Sequence, residues 1–208
     1  MSTYATLTQD IKDFAENDDT EFTAKIDTFI ANSESRLFRD APFLPAFRAS
    51  NTGSLSSGTA TLAMPTGVRT IRSVSITVSG VHDEDVFLQQ RLDSYLRDVY
   101  PASATTGQPK YYAVQSDSSL LFGPTPNNTY AFEVLSNENP TGLGSGNTTT
   151  WLSINVPEVL LYACMIESCT FLQYAEGVTT WNAKYIESLN SLQSEMMRTL
   201  GNENTVGG

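Results

Sequence analysis

The sequence has one histidine, His82, and two cysteines, Cys164 and Cys169, in 208 residues. That scarcity removes most nucleophilic catalysis. A serine or cysteine nucleophile would have only His82 for its base, and no serine stands in a G-x-S-x-G elbow. His82 lies in Val81-His82-Asp83-Glu84-Asp85. Consecutive residues do not converge on a metal without further ligands, so a solvated turn is the plain reading and neither metal nor cofactor is expected. Cys164 and Cys169 are five apart on one predicted helix and face different ways, which suits two free core thiols better than a disulfide. Positive charge is also scarce: Lys plus Arg is 12 against 23 for Asp plus Glu, a net charge of −11. Arg36, Arg39, Arg48, Arg69, Arg72, Arg91 and Arg97 are scattered, which excludes gripping nucleic acid by counterion release and suggests pairing with the surplus acids. No apolar run approaches the roughly 20 residues of a membrane span; the longest is Val159 to Ile166. The opening MSTYATLTQDIKDF has no apolar h-region, so no secretory leader is expected. The sequons at Asn127 and Asn147 then count only as loop chemistry.

What is present is ample apolar material, 40% of residues with 10% aromatic, on a chain with only 17% charged residues. A packed core is expected, with a neutral polar surface suited to burial against further copies. Leu7, Ile11 and Phe14 recur at helical spacing. After the break at 17–20, a longer helix capped by Asp19 or Thr20 carries Phe22, Ile26, Phe29, Ile30 and Leu37 as one stripe, ending before Pro42 and Pro45. From about Asn51 the pattern alternates. Val74, Ile76 and Val78 mark a half-buried strand, and 111–115, 119–122 and 129–135 read likewise. Between them Leu88 to Tyr100 reads as a short helix with Leu92, Leu96 and Val99 on one side. Gly142 to Thr150, GLGSGNTTT, reads as a loop too polar and flexible to pack; its G-x-G-x-G lacks a phosphate-loop lysine.

Pro157 suits a first helical position, and residues 158–175 are apolar on nearly every face, as in a helix buried centrally or between subunits. Gly177 is expected to end it. Thr179 or Thr180 would cap a last helix with Trp181, Tyr185, Leu189, Leu192 and Met196 on one stripe, Trp181 being buried in a bundle. From Gly201 the chain reads as a free arm. The expected fold is α+β: a discontinuous helical bundle from 1–49 and 151–200, an inserted antiparallel β domain with a short helix at 50–150, and a flexible tail at 201–208. Tyr111, Tyr112 and Tyr130 lie at strand positions, where aromatics pack in the core; a glycan-binding platform on the β domain is the competing reading. The acid pairs Asp18-Asp19 and Asp83/Asp85 read as solvated turns rather than acid–base catalysts.

The order of several local signatures resembles the head-to-tail adaptor (connector) proteins of tailed bacteriophages, especially short-tailed ones. These are the opening helix pair LTQDIKDFAENDDTEFTAKIDTFIANSESRLFRD with its proline-rich exit; Gly107-Gln108-Pro109-Lys110-Tyr111-Tyr112-Ala113-Val114; Leu120-Leu121-Phe122-Gly123-Pro124-Thr125-Pro126; Tyr130-Ala131-Phe132; and Asn147 to Cys169 with Trp151-Leu152 ahead of Val156-Pro157-Glu158. The resemblance covers nearly the whole chain. It implies a non-enzymatic virion protein, made in the host cytoplasm and placed at the head–tail interface. Such proteins form a ring, typically of twelve copies, that joins the portal protein to the tail nozzle or tail tube and lets duplex DNA pass without tight binding. On this view Met196, Met197, Leu200, Asn202 and Val206 are portal-docking candidates. Tyr162, Met165, Phe171 and Tyr174 are subunit-packing candidates, and Asp10, Asp13 and Glu16 are lumen-lining candidates. No membrane is implied. The short, glycine-rich tail departs from the family pattern. The alternative is a tail-associated host-recognition module that binds glycan.

Overall fold

The computed structural model describes residues 2–80, 83–101 and 105–205, with side chains to Arg198. His82 and Val206 lie outside the described residues. The chain is mixed helix and sheet and divides into two compact units, one from Met1–Ala46 with Pro140–Gly208 and one from Phe47–Asn139.

In the first, helical unit, α1 (Tyr4–Ala15) opens on a reciprocal cap between Thr3 and Thr6. The longer helix expected next is two: a single turn, α2 (Thr20–Thr23), then α3 (Ile26–Asp40). The apolar stripe survives the break, since Phe22, Ile26, Phe29, Ile30 and Leu37 are all buried. A second reciprocal cap, Thr150 with Ser153, opens the short α5 (Trp151–Asn155). α6 (Pro157–Phe171) then runs through the middle, packed by α1, α3, α5 and α7 (Ala175–Thr205). Cover on so many sides explains its unbroken apolar sequence. Cys164 and Cys169 are free and buried.

The last two helices meet differently from the expectation. α6 ends at Phe171 with Leu172 as its C-cap, Gln173 takes a left-handed φ of 57°, and Gly177 lies inside α7. A Cβ on Gly177 would stand 2.8 Å from Cys169 Sγ and would overlap the Tyr174 ring, so this glycine permits the close approach of the two helices. Thr179 and Thr180 do not cap; their hydroxyls donate to the carbonyls of Ala175 and Glu176, 3.1 and 3.0 Å away. α7 carries helical backbone through Thr205, so residues 201–205 are helical rather than extended.

The loop 142–150 is also packed rather than free. Leu143 is buried, and its amide donates to both carboxylate oxygens of Glu34, at 3.1 and 3.2 Å. Asn147 Nδ2 donates to the carbonyls of Thr141 and Gly142, closing a tight turn. A Cβ on Gly142 would stand 2.7 Å from Glu34 Oε2, so a side chain there would push the Glu34 carboxylate aside.

Burial raises the Glu34 pKa above the ordinary glutamate value, and the Leu143 hydrogen bond only partly opposes this. A raised folded-state value stabilises below the unfolded pKa, and that contribution is lost as pH rises through the folded value. Glu34→Gln keeps an acceptor for Leu143 without the charge. The variant should therefore match or exceed the wild-type thermal midpoint at pH 7, and the wild type should gain on it as pH falls toward 4. A variant that lost ground at pH 7 would show that the charge itself holds the loop.

The β unit contains β1 (Arg48–Leu55), β2 (Thr61–Ala63), β3 (Val68–Val78), β4 (Glu84–Phe87), β5 (Gln89–Gln90), β6 (Thr106–Gly107), β7 (Tyr111–Ser116), β8 (Ser119–Gly123), β9 (Thr125–Pro126) and β10 (Tyr130–Glu138). One sheet runs β1-β10-β3-β4, antiparallel throughout; a second runs β2-β8-β7-β5. Two short parallel pairs, β5 with β7 and β6 with β9, depart from the all-antiparallel expectation. The two larger sheets share one apolar cluster, with Val74, Ile76, Phe132 and Val134 from the first and Tyr112, Leu120 and Phe122 from the second. Tyr130 is buried there too, so Tyr112 and Tyr130 are core residues.

Candidate assembly surfaces

Three exposed apolar surfaces stand out. The first lies at the α6–α7 corner of the helical unit. Phe22 and Phe29, both buried, form a floor on which the Phe171 ring rests, with centroids 6.2 and 5.6 Å away. Above them Phe171, Leu172 and Tyr174 face outward, Tyr174 with 55% of its surface exposed. Glu21 and Lys25, four residues apart, are exposed on the segment that carries Phe22, and Glu176 lies in the first turn of α7.

The second surface crosses α1, α6 and α7. Trp181 receives the Phe14 ring edge-on at 5.6 Å and lies 5.7 Å from the Tyr162 ring, and Lys184 Nζ sits 4.7 Å from its centroid. Trp181 is only half-buried and Phe14 is largely exposed, which corrects the expectation of a buried indole. The reason is that Tyr185 and Leu192, rather than Trp181, point α7 at the core; Tyr185 Oη donates to Asp40 at 2.8 Å. Trp181→Ala should accordingly cost about 1–3 kcal/mol, less than a fully buried indole. Thermal unfolding measures this, and a loss above 4 kcal/mol would return Trp181 to the core.

The third surface is on the β unit. The short helix is α4 (Asp93–Val99), and of the three apolar residues expected to pack, only Leu96 is buried. Leu92 is 76% exposed and Val99 is exposed as well. With Tyr95 they form an outward stripe at i, i+3 and i+7, one face of the helix turned to solvent. Tyr95 meets the Tyr111 ring edge-on at 6.1 Å, and the Arg91 guanidinium lies over that ring at 5.5 Å. Arg97 is paired with Asp93 at 2.8 Å, one of the expected ion pairs; Arg36 with Glu167, at 2.9 Å, is another.

Of the subunit-packing candidates, Phe171 and Tyr174 share the corner, Tyr162 belongs to the Trp181 group, and Met165 is fully covered by its own chain. That burial is the bundle-core placement, with α6 packed by its helical neighbours. Asp13 and Glu16 are exposed and Asp10 is half-buried; Asp13 accepts from Gln9 Nε2 at 2.8 Å. Met196 is half-buried and Met197 exposed, whereas the Leu200, Asn202 and Val206 side chains lie outside the described residues. Sequence reasoning found this helix and put Leu92, Leu96 and Val99 on one side, but not that Leu92 and Val99 face solvent with Tyr95; the weak signal was that a seven-residue helix can bury little more than one side chain.

Among the described residues, no cluster of His, Cys, Asp or Glu could hold a metal ion, and no helix is long and apolar enough to cross a membrane. Residues 2–206 match the family described as SU10 adaptor protein. The chain belongs to that family. No curated protein matches it. Membership covers both units of the adaptor, including α4 and the α6–α7 corner, and agrees with the resemblance to phage head-to-tail adaptors.

Proposed function

We propose that this adaptor is a non-catalytic structural protein of the virion, forming a ring at the head–tail interface that joins the portal to the tail nozzle or tube and surrounds the DNA channel. The observation that carries the reading is the family match over nearly the whole chain. The exposed ring-bearing surfaces, on a chain with only 17% charged residues, support it as places where copies and partners can bury area. In this arrangement a discontinuous helical bundle carries an inserted β domain. The acidic balance keeps the channel from holding DNA by like-charge repulsion, with Asp10, Asp13 and Glu16 toward the lumen. The end of α7, with Met196 and Met197, reaches the portal.

The test is negative-stain imaging and mass measurement of the chain mixed with the portal protein of its phage. A ring bound to the portal is expected, and deletion of residues 199–208 should weaken attachment while leaving the fold intact. A chain that stays monomeric with portal present would overturn the reading. Undiminished attachment of the truncated chain would move docking away from the α7 end.

A further inference from the structure

The β unit leaves one long strand edge open. β1 and β4 stand at the two ends of the first sheet, β2 and β5 at the ends of the second. β4 has four residues and carries the exposed acids Glu84 and Asp85, while β2 has three residues and β5 two. Shortness and charge are the usual protections of an edge. β1 has eight residues, no proline or lysine, and a single charge at its first position, Arg48. It pairs with β10 from Arg48↔Asn137 to Leu55↔Tyr130 without a register shift, so no bulge twists the edge away. Two side chains that could shield it turn back toward β10 instead: Ser50 Oγ donates to Glu133 Oε1 at 2.6 Å, and Asn51 Nδ2 to Glu138 Oε1 at 2.5 Å. Gly53 has no side chain, and the Phe132 ring borders it so closely that a Cβ there would lie 2.8 Å away. Ser50, Thr52, Gly53 and Ser54 are exposed. Among the described residues only β10 pairs with β1, so along 49–54 alternate residues turn their N–H and C=O to the open side.

We infer that β1 receives an extended segment of another protein of the assembly as a fifth strand of this sheet, held by main-chain hydrogen bonds. The alternation of β1 sets the chemistry of that segment. Gly53 and Leu55 lie on the core side, opposite Phe132 and Tyr130, so the residue that meets Gly53 is apolar and packs on the border of the Phe132 ring. Residues on the other face lie beside Ser50, Thr52 and Ser54 and are polar. The occupant is a segment rather than a second folded copy because of area. An edge about 27 Å long and one strand thick buries well under the roughly 800 Å² per partner that a stable pair of folded units needs. An extended segment gains the same backbone bonds and continues past the end of β1 as part of a longer contact. The inference rests on the virion reading above only for where that segment is found.

The experiment follows amide hydrogen exchange in the full-length chain alone, by NMR, and in purified tailed particles of its phage, by mass spectrometry. In the chain alone, alternate amides of 49–54 should exchange roughly tenfold or more faster than the amides between them, and in particles the whole of 48–55 should be protected. Two proline variants locate the contact. Of Thr52→Pro and Ala49→Pro, one removes an outward N–H and should keep the thermal midpoint, while the other breaks the ladder to β10 and should lower it. The edge variant should enter particles roughly tenfold less well or, once there, lack the protection. Amides of 49–54 already uniformly protected in the monomer would show that the chain closes its own edge and would overturn the inference. Protection that grows with concentration as dimers appear in sedimentation would overturn it too, making the occupant a second copy. So would an edge variant that matches the wild type in both incorporation and protection. An edge that stays open in particles containing the chain overturns this contact alone, whereas a chain missing from the particles overturns the virion reading with it.

Discussion

Replacing Phe22 with alanine is expected to destabilise the helical unit by about 3–5 kcal/mol. Phe22 is 2% exposed and is the buried residue of α2, a helix of one turn that cannot hold itself by backbone hydrogen bonds alone. Its ring lies 5.6 Å from Phe29 and 6.2 Å from Phe171. Truncation therefore opens a cavity under the α6–α7 corner as well as freeing α2. Trp151 and Trp181 both belong to the helical unit, so tryptophan fluorescence during thermal or urea unfolding follows that unit specifically. Phe22→Leu should recover most of the loss, since it restores apolar volume. A loss below 1 kcal/mol for the alanine variant would mean that α2 is held by something else.

The second large effect is chemical. Burial pushes the Cys164 thiol up to about 12; the charges of Glu34 and Glu167 push the same way, against a hydrogen bond with Ser33. Burial raises Cys169 as well. Against an ordinary thiol near 8.5, the thiolate of Cys164 at pH 8 is scarcer by about a thousandfold, and the thiolate is the reactive form. Iodoacetamide should therefore label Cys164 in the native chain at least about a thousandfold more slowly than in urea. Labelling of Cys164 in the native chain at the unfolded rate would contradict its burial in α6. The same shift fixes a sign for stability. A thiol raised in the folded state contributes fully below its unfolded pKa and loses that contribution as pH rises toward about 12, so the chain should weaken in alkali. Cys164→Ala should flatten that slope.

Much of the fold was legible because it is local. The apolar stripe of α3, the strands around Ile76, Tyr112 and Phe132, and the all-round apolar α6 follow from periodicity. What escaped depends on partners distant in sequence. Glu34 and Leu143 are separated by 109 positions, and nothing in GLGSGNTTT announces the carboxylate that captures it. Gly177 reads as a helix stop, yet it is the small residue that lets Tyr174 and Cys169 approach α7. The breadth of the α6 apolar surface also hid which faces the chain covers itself. Met165 and Tyr162 look alike in sequence, but one is fully buried and the other only half-buried. The α1 and α5 starts were legible in retrospect, since Thr3 with Thr6 and Thr150 with Ser153 are reciprocal caps.

The central place of α6 also orders events during synthesis. Arg36 and Glu167, which join α3 to α6, are separated by 131 positions. α1, α2 and α3 therefore leave the ribosome with Ile11, Phe22, Phe29 and Ile30 uncovered, and stay so while the whole of 47–139 is made. The β unit is contiguous and can close during that interval; the helical unit cannot close until residue 171 has emerged. A chain broken off before α6 would carry a finished β unit and a bare apolar helix pair. Truncated products of this gene should aggregate through their first forty residues, while those lacking only the end of α7 should stay dispersed.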